Sequence, residues 1–443
     1  MNKKIGFISL GCAKNLTDTE TMLGILSEDG FVITADAKEA DVIVVNTCAF
    51  IDSAKEESIG AILEMAAYKE DKCELLVVTG CLAQRYCEDI CSELPEVDII
   101  LGTTDYARIA EVIKNFYQNH EKIVFVGDEN TPVDYNLPRV QSTPVYTAYL
   151  KIADGCDNFC TYCIIPKLRG KFRSRPVQSI LDEAKSLASD GVKELILVAQ
   201  DTACYGKDIG TNLAALLSML SEIDGIEWIR LQYCYPENIT PELIDEIQTN
   251  NKVVKYLDMP IQHISDNVLK KMGRRSRGNQ VRELIDNLRS RINGLVIRTS
   301  LIVGFPGETE EDFKELEGFL NEYKLDRVGV FTYSKEEGTP AFLYDGQIDE
   351  DVKLDRMNTL MTAQKDISFS LNQNRIGTCT TAIIEGYDES EFCYVGRCSG
   401  DTPDVDGNVY VYSEEELSPG EIVEVEIIDC TEYDLVCKTT SNS

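Results

Sequence analysis

The stretch Cys156-Asp-Asn-Phe-Cys160-Thr-Tyr-Cys163 puts three thiols in one short segment. Thiolates are soft donors, and three at this spacing can converge from a single loop on a metal or a metal cluster. Structural zinc takes four nitrogen or sulfur donors, and the chain has only two histidines, His120 and His263. A three-cysteine 4Fe–4S cluster needs no fourth protein ligand and leaves one iron open. A zinc knuckle with a remote fourth ligand and a set of plain buried cysteines are the alternatives. Cys12, Cys48 and Cys81 lie far apart in sequence but share a context, since each follows a short apolar run of strand length. In open parallel sheets the ligand crevice lies beyond the carboxyl ends of the strands, so the three converge if those strands are neighbours. The bland alternative is that they are small buried residues. The other ten of the sixteen cysteines read as buried. Cys87 and Cys91, at i and i+4, could share a helix face.

These thiols need elements to hold them. Ile5–Leu10, Val42–Asn46, Leu75–Thr79 and Ile99–Leu101 read as strands, with helical patterns between them such as Asp18–Asp29 and Ala54–Ala67. That alternation predicts an open parallel α/β domain over 1–126. The Pro-bearing stretch 127–144 reads as a linker. A second βα series predicts a full or partial parallel barrel over 145–370, with strands at Tyr146–Ala153, Glu194–Val198, Trp228–Gln232, Tyr256–Met259, Leu295–Ile302 and Arg327–Thr332. From 371 to 443 short runs rich in Val, Ile, Thr and Tyr predict a small all-β barrel. The final Thr-Thr-Ser-Asn-Ser is expected to fray.

The whole chain of 443 residues carries 43 basic and 76 acidic side chains, a net charge of −33. Residues 1–141 and 371–443 each carry −13, and 142–370 carries −7. Nucleic-acid binding draws on Lys and Arg to displace counterions, so nucleic acid is not expected as a substrate. A basic protein fits better. No apolar run reaches the 18 or so residues of a membrane helix, and a cytoplasmic protein without membrane contact is expected. In a reducing compartment sixteen cysteines point to metal or redox chemistry rather than disulfides.

The Cys-x3-Cys-x2-Cys loop, with Tyr162 before its third cysteine, resembles the radical S-adenosylmethionine (SAM) superfamily. The resemblance implies a 4Fe–4S cluster on Cys156, Cys160 and Cys163 whose open iron chelates SAM. One electron then cleaves SAM to a 5′-deoxyadenosyl radical. Leu197-Val-Ala-Gln200-Asp201-Thr202 and Ile302-Val303-Gly304-Phe-Pro-Gly307-Glu308 resemble the SAM-facing strands, which makes Tyr162, Gln200, Asp201, Gly304 and Glu308 candidate SAM contacts. Ser9-Leu-Gly-Cys12-Ala-Lys-Asn15, Val45-Asn-Thr-Cys48-Ala-Phe-Ile-Asp-Ser-Ala-Lys-Glu-Glu-Ser58 and Thr79-Gly-Cys81-Leu-Ala-Gln-Arg85 resemble the amino-terminal domain of the methylthiotransferases. That implies a second 4Fe–4S cluster on Cys12, Cys48 and Cys81, which presents a methylated sulfur to a carbon radical.

Within that family the words around Cys12 and Cys48 resemble the RimO-like branch, which modifies the β-carbon of an aspartate in ribosomal protein S twelve. Transfer-RNA enzymes (MiaB-like) have Gln-Met-Asn after the first cysteine and are the rival reading. An iron–sulfur carrier without radical catalysis is a second rival. Ala13 departs from the proline common in the branch. The last domain resembles a TRAM barrel, here with Arg375, Arg397 and Lys438 against sixteen acids, and Gly396–Gly407 resembles a loop typical of the branch. This acidic domain is expected to dock the basic substrate protein. Arg169 and Arg173, in the basic run after the cysteines, and Arg274 and Arg275 are candidates to receive the carboxylate of the substrate or of SAM. His263 reads as a structural histidine and Trp228 as core. An external electron donor and a sulfur source are implied.

Overall fold

The computed structural model of the protein describes residues 3–131 and 134–440. Pro132 of the expected linker and the last three residues of the expected frayed tail lie outside that range.

The first sheet comprises β1 (Lys4–Ser9), β2 (Val32–Ile33), β3 (Val42–Thr47), β4 (Leu75–Gly80), β5 (Ile99–Leu101) and β6 (Ile123–Phe125). All its pairings are parallel, in the order β2-β1-β3-β4-β5-β6. Every residue of β3 and β4 is buried, as their unbroken apolar runs require when helices cover both faces. β1, β3 and β4 are therefore adjacent, the condition on which convergence of Cys12, Cys48 and Cys81 depends. The sequence reading missed β2 and β6, which are two and three residues long, too short to display a period.

The second sheet opens with β7 (Thr147–Lys151). A short antiparallel pair, β8 (Ala153–Asp154) and β9 (Arg173–Ser174), brackets the Cys156–Cys163 loop. β10 (Glu194–Val198), β11 (Trp228–Leu231), β12 (Val253–Asp258), β13 (Val296–Val303) and β14 (Arg327–Thr332) complete a six-stranded parallel sheet ordered β14-β13-β12-β11-β10-β7. Leu195, Leu197, Ile229, Leu231, Ile297 and Leu301 pack on the surrounding helices. The alternate residues, Glu194, Arg230, Tyr256 and Arg298 among them, point to the opposite, inner face. A partial barrel results.

The helix Glu350–Gln373 leads to a closed barrel of β15 (Cys379–Asp388), β16 (Cys393–Cys398), β17 (Val409–Tyr412), β18 (Ile422–Cys430) and β19 (Leu435–Thr439), in the order β15-β16-β17-β19-β18. Closure leaves no free strand edge. This domain seats on the central barrel through Tyr146, Trp228, Val254, Tyr256 and Ile383. Glu194 pairs with Arg230 at 2.8 Å and, from the other side, with Arg397. Arg327 meets Asp401 at 2.8 Å, Tyr256 Oη donates to Asp406 at 2.8 Å and Gln232 Nε2 donates to Thr402 at 2.7 Å.

The loop Gly396–Gly407 is thus turned into the inner face of the barrel. Arg397, Asp401 and Asp406 serve there as counter-charges and hydrogen-bond partners of buried barrel residues, not as docking surface. Of the acids of the last domain only Asp401 is buried, and Arg397 is buried with it, so the domain keeps its strongly negative net charge toward solvent.

The expected linker is also more than a tether. Glu20, fully buried, accepts from Arg139 Nε at 2.9 Å and from Ser142 N and Oγ at 2.7 and 2.8 Å. A Cβ on Gly24 would lie 2.4 Å from the Pro138 carbonyl, so the strap runs directly over the first helix. Among the described residues no helix is long and apolar enough to cross a membrane.

Candidate functional site at the carboxyl ends of two parallel sheets

Three of the six cysteines follow a glycine in the left-handed region: Gly11 (φ 89°), Gly80 (φ 92°) and Gly155 (φ 78°). Each glycine also has no room for a side chain. A Cβ on Gly11 would sit 2.8 Å from Cys48 Cβ, one on Gly80 would sit 2.3 Å from Asn46 Oδ1, and one on Gly155 would sit 2.1 Å from the Lys171 carbonyl. Only glycine turns the chain this tightly, so the Gly-Cys dipeptide was a signal available in the sequence.

Cys12 occupies the N-cap position of the helix Ala13–Glu28 and is exposed. Desolvation by the surrounding protein would raise its pKa, but Lys14, Arg169 and the Lys14 and Asn15 backbone N–H groups outweigh that and lower it. Cys48 follows β3, and Ser58 clamps its backbone by accepting from its N–H at 3.0 Å and donating to its carbonyl at 2.9 Å. Cys81 opens the short helix after β4, and burial pushes its thiol up to about 12. Asn15 ties the set together: its amide donates to the Leu10 and Thr47 carbonyls at 3.0 and 2.8 Å, and its Oδ1 lies 3.9 Å from Cys81 Sγ.

The barrel set sits on the loop after β8. Asn158 inside it donates to Asp201 at 2.9 Å, Thr161 N–H donates to the Met272 carbonyl at 2.9 Å, and Cys163 N–H donates to the Cys160 carbonyl at 3.0 Å. Cys160 Sγ lies 3.6 Å from Tyr235 Oη. Burial raises Cys156 to about 12 and Cys163 further. Thiols raised this far are protonated in the free protein, so metal loading displaces their protons.

The donor sets fit the group that the sequence implies. Each has three thiols that act on one another's charge, Cys12 and Cys48 on Cys81 and Cys156 and Cys160 on Cys163, which places each set together as a soft donor group.

The remaining site candidates divide. Tyr162 packs edge-on against Phe305 with centroids 6.4 Å apart, beside the cysteine loop. Gln200 donates to Asp154 at 2.9 Å and leaves Oε1 buried without a partner, an acceptor free for a ligand. Asp201 and Glu308 already have partners within the chain. Asp201 accepts from Asn158 and Asn238, at 2.9 and 2.6 Å, and braces the loop. Glu308 pairs with Arg356 at 2.9 Å and accepts from Phe305 N–H at 3.0 Å. Gly304 (φ 72°) is dictated by Lys353, whose Cγ a Cβ would meet at 2.3 Å.

Of the four arginines, Arg169 departs furthest from a substrate role. Its guanidinium is 3% exposed and is taken by Asp18 at 2.7 Å, Asn15 at 2.6 Å and Asp154 at 3.4 Å, close beside the first cysteine set. Arg274 stacks on Tyr235, 3.7 Å from the ring centre, and donates to the Pro260 carbonyl at 2.9 Å. Arg173 donates to the backbone carbonyls of Lys171 and Arg169 at 3.0 and 3.1 Å. Arg275 is exposed and donates to Asn158 at 2.9 Å. His263 is buried as a structural histidine would be, its Nδ1 accepting from Ser265 N–H at 3.0 Å.

The first domain closes over the barrel at this point. Lys151 of β7 pairs with Asp18, and Arg85 and Lys55 pair with Glu336 beyond β14 at 2.8 and 3.0 Å. Lys14 Nζ lies 3.4 Å from the ring centre of Tyr233, just past β11. Both cysteine sets therefore lie at the contact of the first domain with the barrel, where the charge of Lys14 acts on Cys12 of one set and Cys163 of the other.

Three family models match the chain: uncharacterized protein family UPF0004 over residues 4–102, the radical SAM superfamily over 150–320 and the TRAM domain over 376–439. Among curated relatives, the protein named ribosomal protein uS12 methylthiotransferase RimO of Acetivibrio thermocellus is 52% identical, with all of both chains aligned. The proteins of that name from Clostridium botulinum and Geobacter sulfurreducens are 54% and 52% identical, over 98% of this chain and 97% and 98% of theirs. Among solved structures, the radical S-adenosylmethionine methyltransferase TsrM of Kitasatospora setae aligns with a TM-score of 0.58 at 14% identity, over 86% of this chain and 81% of that one, a likeness of fold. Two three-thiol sets at one domain contact, matched end to end by relatives at this identity, have one explanation: the chain belongs to the RimO family of radical SAM methylthiotransferases.

Proposed function

We propose that the protein replaces a β-carbon hydrogen of an aspartate in ribosomal protein uS12 with a methylthio group. The observation that carries this reading is that two three-thiol sets meet at one domain contact: Cys12, Cys48 and Cys81 come from three adjacent strand ends of one sheet and Cys156, Cys160 and Cys163 from one loop of another, with Lys14 acting on both. Each set would hold one 4Fe–4S cluster, and SAM would bind at the barrel set with Tyr162 and the unpartnered Gln200 Oε1 beside it. When bound, the clusters supply an open iron and one-electron reduction, and SAM supplies the hydrogen-abstracting radical and the methyl group. The chain's own residues position and shield. Asn158, Asp201 and Thr161 fix the barrel loop, while Asn15 and Ser58 fix the first set. The buried pairs of Arg169 and Lys151 with Asp18 hold the two sides of the contact together. Tyr162, packed on the apolar cluster of Val268, Met272, Phe305 and Tyr333, gives the barrel set one apolar wall.

For the partner, the surface of the third domain supports docking of a basic protein. Glu389, Glu391, Glu414, Glu415, Glu416, Glu424 and Asp429 are exposed, whereas Arg397 is buried and Lys438 is paired with Glu426 at 3.0 Å. Such a field speeds encounter with a basic partner. The domain bounds 1–126, 145–370 and 371–443, and a cytoplasmic location beside the ribosome, belong to the same proposal. The test is mass spectrometry of uS12 and of transfer-RNA nucleosides from a strain lacking the gene. The expected result is loss of one CH2S unit from uS12 with methylthioadenosine intact; the reverse would overturn the reading.

A further inference from the structure

Lys14 is 8% exposed, its ammonium keeps a residual opening to solvent, and among the described residues no carboxylate pairs with it. Its one close neighbour is the face of Tyr233, 3.4 Å from Nζ to the ring centre. The other buried cations at this interface are satisfied: Lys151 by Asp18, Arg169 by Asp18, Asp154 and Asn15, and Arg139 by Glu20. Asp258, the carboxylate whose charge acts on Lys14, is committed to Arg298 at 3.0 Å and to the Tyr233 N–H at 3.1 Å. An ammonium held this deep, with only Cys12 and the already engaged Asp258 as opposing charges near it, keeps N–H donors unused. A cation–π contact stabilises the charge in part and leaves those donors free. Tyr233 is itself held in the left-handed region (φ 60°), a conformation kept only where the surroundings enforce it, and this turns its ring to the first domain.

The location gives the vacancy a meaning. Lys14 comes from the first domain and reaches the end of β11 in the barrel. It lies within electrostatic reach of Cys12 in one thiol set and Cys163 in the other. A reacting carbon placed between the two sets has this ammonium beside it.

We infer that Lys14 is the carboxylate-binding residue of this domain contact, and that the carboxylate it receives is that of the target aspartate. This rests on the function proposed above. The ammonium would hold the side-chain carboxylate and so fix the adjacent β-carbon between the sets, while the neutral amide of an asparagine would forfeit the charge-assisted bond. The two sources of a carboxylate at this contact are the substrate side chain and the methionine moiety of SAM.

The experiment uses reconstituted, cluster-loaded protein, as wild type, Lys14→Met and Lys14→Arg. It measures equilibrium binding of SAM, of purified uS12 and of uS12 with the target aspartate changed to asparagine, together with iron content and the kcat and KM of methylthiolation. Wild type is expected to prefer the aspartate form by about 10- to 100-fold, the value of a charge-assisted bond. Lys14→Met is expected to bind both forms equally and weakly, with KM raised, iron content and SAM affinity kept, and Lys14→Arg is expected to restore part of the preference. An unchanged aspartate preference in Lys14→Met overturns the inference. So does weakened SAM binding with the preference intact, which would assign the ammonium to SAM, and so does loss of iron, which would make Lys14 a support of the first set. A wild type that never modifies uS12 at all would instead overturn the proposed function.

Discussion

At the scale of single residues, the two cysteine sets have separable tasks. Cys160→Ala is expected to abolish 5′-deoxyadenosine formation from SAM, and Cys48→Ala to lose about half the iron while SAM is still cleaved without product; iron assay and chromatography read both. Intact iron in Cys48→Ala would refute the ligand assignment. His263 offers a test of a different kind. Burial drives its pKa down to about 3, against a smaller opposing pull from Asp312. The folded chain therefore refuses a proton that the unfolded chain binds below about pH 6.5. The stability held by neutral His263 is full above that pH and drains away as pH falls toward 3, by on the order of 1 kcal/mol per unit. Thermal melts of His263→Gln should show a shallower acid limb than wild type between pH 6 and about 4.

At the scale of elements, the turns before the cysteines matter as much as the thiols. Gly155→Ala combines a left-handed φ with a carbonyl 2.1 Å from the new Cβ, so the barrel loop must shift. We predict loss of iron from that set alone, read as the disappearance of SAM-perturbed cluster signals in electron paramagnetic resonance, with Cys12, Cys48 and Cys81 still loaded. Much of this was legible beforehand. β3, β4, β10 and β14 announce themselves as unbroken or alternating apolar runs, and Cys12, Cys48 and Cys81 stand where such runs stop. The charged candidates were not legible in the same way. Asp201, Glu308 and Arg169 have the right chemistry for ligands, but a sequence cannot say that Asn158, Arg356 and Asp18 already satisfy them. Lys14 was overlooked for the converse reason, because having no partner is a property of three-dimensional packing.

At the scale of the whole molecule, the third domain is locked to the barrel from within. Glu194 lies fully buried between Arg230 and Arg397. Burial would raise its pKa, yet the two guanidinium groups hold it below the usual carboxylate range. Removing one member of such a group leaves buried charge uncompensated, at about 3–5 kcal/mol. Glu194→Gln is expected to free the third domain for proteolysis near the end of the helix Glu350–Gln373; equal protease resistance would show that the apolar seat around Trp228 suffices. The same lock shows what a charge count from sequence leaves out: Asp401, Asp406 and Arg397 are spent on the barrel, and the other acids remain toward solvent.

The central claim is that a site formed by two three-thiol sets at one domain contact transfers a methylthio group to a protein aspartate. The most direct measurement is anaerobic incubation of the reconstituted protein with reductant, a sulfide source, SAM and purified uS12, followed by fragment mass spectrometry of uS12 and assay of 5′-deoxyadenosine. The account predicts one added CH2S unit on a single aspartate of uS12, with 5′-deoxyadenosine formed alongside. SAM cleavage with unmodified uS12, under conditions where transfer RNA gains the group instead, would contradict it.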